Sequence, residues 1–147
     1  MIRTDTEYRQ TLQRIEQSEQ AFRDEEERLK GRGLGTAQVK RALEPGRAFY
    51  EQLLSEVRAY ERLKRGEFDE LRTLADLGRL LIAARIGSGL SQRELADRLG
   101  VHESQVSRDE RTDYAGVTVD RAHRILDAVG VQIAIRAHLA GSLARSA

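Results

Sequence analysis

The sequence predicts a mainly α-helical chain: a helical hairpin over residues 1–66, a small helical bundle over 67–131, and one short β-strand with a loose tail within 132–147. Composition points this way first, with 33% charged residues, 5% aromatics, one Pro and no Trp in 147 residues, a profile of charge-laced helices rather than of a β-sandwich. Charge then divides the chain near Gly66: residues 1–66 carry 14 Lys and Arg against 12 acids, whereas 67–147 carry 11 Arg, no Lys and 12 acids. Finally, the apolar period is helical up to Gly130 and becomes two after it.

Each element follows from local signals. Thr4 and Glu7 have capping-box spacing, and Tyr8, Leu12, Ile15, Glu19, Phe22, Glu26 and Leu29 follow at steps of four and three, a coiled-coil stripe with two acidic interruptions. Asp24 with Arg28 and Glu26 with Lys30 are favourable i,i+4 pairs, so the acidic run 24–27 reads as a solvated face. Gly31, Gly33 and Gly35 break this helix. With no preceding strand and no GK[ST] following, they form a turn rather than a phosphate loop, and the turn region holds Lys30, Arg32, Lys40 and Arg41. A second helix is expected from about Pro45-Gly46, with Phe49, Leu53, Val57, Tyr60 and Leu63 packing back on the first and Gly66 ending it.

Beyond Asp69, the residues Leu71, Leu74, Leu77, Leu80, Leu81 and Ala84 predict a helix over 70–85, closed by Gly87-Ser88-Gly89. Ser91 and Glu94 then form a capping box for a short helix, Gln92 to Leu99, with Leu95, Ala96 and Leu99 inward and Gly100 as its left-handed stop. A second short helix runs from His102 to Glu110 with Val106 as its inward anchor, and small Ala96 lets the two cross closely. Thr118 and Gly130 bracket the last helix, over 118–128.

Leu90-Ser-Gln-Arg-Glu-Leu-Ala-Asp-Arg-Leu-Gly-Val101 followed by Ser104-Gln-Val-Ser-Arg108 resembles the Cro/CI (Xre) family of bacterial helix-turn-helix DNA-binding domains, a lambda-repressor-like bundle, over residues 70–131. The resemblance implies double-stranded DNA as partner. It implies base contacts from Glu103, Ser104, Ser107 and Arg108, with Arg108 bidentate to guanine and Glu103 accepting from cytosine. It implies phosphate contacts from Gln92, Arg93, Arg111 and Thr112; Tyr114 either joins these through its hydroxyl or covers the core. The sequence departs from the family at His102, where Ser or Thr is usual and caps better. It departs again at Asp109, where a large apolar residue is usual and where a pairing with Arg121 or Arg124 is expected instead. Charge is a third concern, since residues 88–113 hold four Arg against six acids, and phosphate contacts normally dominate DNA affinity.

Val131, Ile133, Ile135, Ala137 and Leu139 alternate with more polar residues, a period-two strand without a partner strand in this chain. Pairing with the same strand of a second copy, through Val131, Ile133 and Ile135, would give a homodimer that reads a palindromic operator. A helix-turn-helix domain followed by such a strand is similar to antitoxins of type II toxin–antitoxin systems, of the HigA and HipB kinds. That implies an autoregulating repressor and a toxin as a further partner; a stand-alone regulator and a partner-sequestering module are the other readings.

No catalytic group is expected: there is no Cys, and no carboxylate pair is tied to a cleft signal. His102, His123 and His138 fall on separate elements without metal-ligand spacing, so neither metal nor cofactor is expected. The longest apolar run, Leu80 to Ala84, is far short of a membrane span or a signal segment, which predicts a soluble, cytoplasmic protein.

Overall fold

The computed structural model describes residues 1–71 and 73–136. Six α-helices follow in order among these residues: α1 Asp5–Gly31, α2 Thr36–Lys64, α3 Leu77–Gly87, α4 Gln92–Leu99, α5 Glu103–Arg111 and α6 Val119–Val129. A single 3₁₀ turn, Leu74–Asp76, precedes α3.

The hairpin of α1 and α2 forms with one displaced boundary, and two residues of its predicted stripes, Leu12 and Phe49, are left 39% and 54% exposed instead of packing between the helices. Thr4 Oγ1 accepts from the Glu7 N–H at 3.1 Å, and Glu7 accepts from the Arg3 N–H at 2.7 Å, so the first turn is capped from both sides. The acidic interruption at Glu19 is occupied by Tyr50, whose hydroxyl donates to it at 2.6 Å across the hairpin. Glu26 pairs with Lys30 as expected, whereas Arg28 takes Glu25 rather than Asp24. The expected start of α2 at Pro45 is wrong: the helix begins nine residues earlier, at Thr36, with Pro45 inside it. Packing overrides propensity here, because Val39 and Leu43 bury against Leu29 and hold the first two turns of α2 in place. Gly46 belongs to the same contact, since a Cβ there would lie 2.7 Å from the Phe22 ring.

The helix predicted over 70–85 is shorter. Thr73 Oγ1 donates to Asp76 at 3.1 Å and closes the 3₁₀ turn, a local side-chain bond that competes with helix, so α3 starts only at Leu77. Leu74 is consequently 74% exposed rather than inward. Within α3, Leu81, Ile82 and Ala84 are fully buried and form the floor on which α4, α5 and α6 close through Leu95, Ala96, Val106, Ala122, Ile125 and Leu126. Gly78 sets how near the loop after α5 can come, because a Cβ on it would stand 1.8 Å from the Asp113 carbonyl oxygen.

This core continues into the hairpin. Ile2, Ile15, Leu53, Val57 and Tyr60 belong to the same apolar cluster as the bundle, while Leu29, Val39 and Leu43 form a separate one toward the far end of the hairpin. The apolar core therefore crosses residue 66, where the charge pattern changes.

The predicted C-terminal strand is not formed. Residues 131–136 have no regular structure, and no strand occurs among the described residues. A strand exists only through its ladder of hydrogen bonds, and among the described residues there is no second extended segment to supply one. Ile133 and Ile135 are left 41% and 74% exposed, whereas Val131 is partly buried against the core. Residues 137–139 of the expected strand and the tail beyond lie outside the described residues.

Candidate nucleic-acid interface

Two short helices joined by a three-residue turn dominate the second half of the chain. The Ser91 hydroxyl accepts from the Glu94 N–H at 3.2 Å while Glu94 accepts from the Ser91 N–H at 2.7 Å, which starts α4 sharply. The Ser91 N–H holds the Glu94 carboxyl below its ordinary pKa, with the Ser91 hydroxyl adding to this. Gly100 then adopts φ 65° and turns the chain toward α5. The cap expected to be weak at position 102 is made locally: His102 caps α5, its Nδ1 accepting from the Ser104 N–H at 3.2 Å.

On α5 the inward positions are Val106 and Glu110, at 1% and 0% exposure. Glu103, Ser104 and Arg108 are exposed together with Arg111 and Thr112 at the helix end, and Ser107 is half-buried. Arg108 donates from Nε to the Ser104 carbonyl at 3.2 Å, which leaves its two terminal nitrogens outward. Among the described residues no carboxylate lies within 4 Å of Arg93, Arg108 or Arg111, as the ion pairs found all involve other side chains.

Gln92, at the first turn of α4, is tied inward. Its amide donates to Glu110 at 2.8 Å, which fixes the side chain and leaves its second N–H for a further acceptor. Thr112 donates its hydroxyl to the Asp109 carbonyl at 3.1 Å, so a phosphate contact from it requires that hydroxyl to turn. Of the two roles open to Tyr114, the structure places it in the core. It is 4% exposed at φ 51°, directly after Asp113 at φ 49°, and burial raises the pKa of its hydroxyl. The pair of left-handed residues is strained, and Asp113 is held there by Arg3 at 2.9 Å and Arg79 at 3.6 Å.

The residues that hold α5 in place escaped the sequence reading. Arg85 and Glu110, both nearly inaccessible, form a two-pronged ion pair, with Arg85 Nη2 2.8 Å from Glu110 and Nε closer still. The remaining Arg85 donors reach the Leu90 carbonyl at 2.7 Å and the Arg3 carbonyl at 2.8 Å, so one guanidinium joins the N-terminal segment, α3, the turn before α4, and α5. A signal existed for both: Arg85 falls on the Leu77–Leu81 stripe and Glu110 one turn beyond Val106. Each charge therefore sits where the helical period demands an apolar residue, and two such misfits of opposite sign can satisfy one another. The expected partner of Asp109 is Arg121 rather than Arg124: Arg121 donates to Asp109 at 2.5 Å, and with the Gln105 amide turned to face it also donates to that oxygen at 3.1 and 3.2 Å. An ion pair thus links α5 to α6 at this position.

These pairs change the electrostatics of residues 88–113. Three of the six acids, Asp109, Glu110 and Asp113, are paired with Arg121, Arg85 and Arg3, all from outside that stretch. Glu94, Asp97 and Glu103 remain against Arg93, Arg98, Arg108 and Arg111, so the formal excess of acid becomes a net of one positive charge. The paired acids are thereby withdrawn from the exposed surface of α5, where Glu103, Arg108 and Arg111 remain.

Among the described residues no three His, Asp or Glu side chains gather as metal ligands, and no helix is long and apolar enough to cross a membrane. Residues 76–139 match the family described as the helix-turn-helix domain, a span that takes in α3 to α6 and leaves the hairpin outside. No curated protein and no solved structure matches the chain. The family match supports a DNA-binding regulator.

Proposed function

We propose that this chain is a transcriptional repressor of the Cro/CI kind, which binds a palindromic operator in double-stranded DNA as a homodimer with α5 in the major groove. The observation that carries this reading is the exposed Arg108 guanidinium, without an ion-pair partner among the described residues, on a helix where two of the three acids, Glu110 and Asp109, are neutralised from behind by Arg85 and Arg121. Arg108 reads guanine through its two terminal nitrogens, and Glu103, Ser104 and Ser107 flank it as further base-facing groups. Arg93 and Arg111 bracket the pair of helices as phosphate contacts, and Gln92 adds its free amide hydrogen. The dimer contact in this reading is residues 131–136, where exposed Ile133 and Ile135 and the absence of a ladder partner among the described residues suit strand pairing with a second copy. The protein acts in the cytoplasm and represses its own gene, as an antitoxin does when paired with a toxin gene.

Selection of bound sequences from random duplexes, at stated salt, tests the proposal. The expected product is an inverted repeat with half-site centres about 34 Å apart. Arg108→Ala is expected to lose about 1–3 kcal/mol of discrimination at one base of each half-site. No enrichment at low salt would overturn the reading.

A second reading, a module that sequesters a protein such as a toxin, is favoured by Phe49, a large apolar side chain left 54% exposed on α2, outside the matched domain. It predicts that Arg108→Ala leaves cellular activity intact, while substitutions on the exposed surface of the hairpin abolish it. Deleting residues 1–66 would not discriminate, since Ile2, Ile15, Leu53, Val57 and Tyr60 share the core of the bundle.

A further inference from the structure

Residues 28–43 hold five cations and no acid, the longest such imbalance along the hairpin. Arg28 and Lys30 are engaged by Glu25 and Glu26. Arg32, Lys40 and Arg41 are exposed around the turn between α1 and α2, and among the described residues none has a carboxylate within 4 Å. The next acid along α2, Glu44, is itself exposed, and the acids of α1 nearest the turn are partly spent on Arg28 and Lys30. Arg32 is felt by Glu25 only at longer range, so three exposed cations without a direct ion pair cluster at one end of the long hairpin, a charge pattern that suits a polyanion.

The opposite end of the hairpin lies beside the candidate DNA interface. Thr4, Asp5, Tyr60 and Lys64 share a polar cleft of about 330 Å³ with Ser91, Gln92 and Glu103, so the hairpin is rooted at the start of α4. From Tyr60 to Lys40 the helix runs twenty residues, about 30 Å, close to one turn of duplex DNA. We propose that the turn between α1 and α2 is a second, sequence-independent DNA contact, in which Arg32, Lys40 and Arg41 bind phosphates flanking the site read by α5. The ligand chemistry is the duplex phosphodiester backbone; the inference rests on the DNA-binding reading for its ligand and adds to it an arm that lengthens the footprint.

The test measures affinity of the full chain against salt for a random-sequence duplex of about 40 base pairs, and separately for a duplex trimmed to the selected site. Each phosphate contact contributes about 0.9 to the slope of log K against log salt. The variant R32Q/K40Q/R41Q is expected to lower that slope by about 2 to 3 on the long duplex, with little change on the trimmed one. A variant keeping charge, R32K/R41K, is expected to retain the wild-type slope. Arg108→Ala is expected to keep the slope difference between intact and neutralised turns on random duplex while losing sequence preference, so failure of the operator reading and failure of this contact are distinguishable. Equal slopes for wild type and R32Q/K40Q/R41Q on the long duplex would overturn the proposal and would leave the cations to an acidic protein partner. All three substituted side chains are exposed, and unchanged thermal melting would exclude unfolding as the cause.

Discussion

Glu110 shows how much of this protein's behaviour depends on single side chains. At 0% exposure it accepts from both Arg85 and Gln92, and its charge is tolerated only because that guanidinium faces it. Glu110→Ala leaves Arg85 buried without its counter-charge and is expected to cost about 3–5 kcal/mol in chemical denaturation. Arg85→Met combined with Glu110→Leu removes both charges and is expected to recover most of that loss, though Gln92 would then be free to wander and DNA affinity would fall. Recovery of both stability and affinity would show that the triad does not position Gln92. The same scale explains how Arg108 remains available: its neighbours carry acids, but those acids look inward or toward α6.

At the scale of elements, capping and packing contribute differently to the two halves. The boundaries of α4 and α6 were legible because Ser91, Gly100, Thr118 and Gly130 are local signals, and the structure uses all four. Glu94 makes the start of α4 pH-dependent. Its carboxyl is held below the ordinary 4.5 by the Ser91 N–H, so its contribution is complete above that value and is lost as pH falls through the lower, folded-state pKa. Glu94→Gln is accordingly expected to flatten the acid limb of a stability-against-pH curve below about pH 4.5, with little change in slope at neutral pH. The start of α2 was not legible, because Pro45 is a local signal that long-range packing overrules. Replacing it restores a backbone donor in a helix interior: Pro45→Ala is expected to raise stability by about 1–3 kcal/mol, read from the thermal midpoint. A lowered midpoint would mean that the ring of Pro45 is needed for the Phe22–Gly46 contact.

Taken whole, the molecule is a bundle with a hairpin anchored into it rather than two beads on a string. Ile2 and Arg3 reach from the start of the chain to the bundle, one by burial and the other through Asp113 and Arg85. The proposed dimer is a statement at this scale: Ile135→Asp is expected to shift the chain from dimer to monomer in sedimentation equilibrium and to weaken operator binding, leaving the thermal midpoint of the monomer unchanged. A monomeric wild type at micromolar concentration would contradict the strand-paired dimer. From the sequence alone came the helical class, the hairpin, the caps of the short helices and the face of α5 that carries Arg108, because helical periodicity and cap chemistry act within a few residues and are written along the chain. Tertiary structure alone decided that residues 131–136 form no strand, that Tyr114 is core, that Pro45 lies inside a helix, and that half the acids around α5 are neutralised from α3, α6 and the N-terminus. Each of those outcomes depends on a partner far away in sequence, and a ladder, a buried ring or a counter-ion has no local signature until the chain has folded.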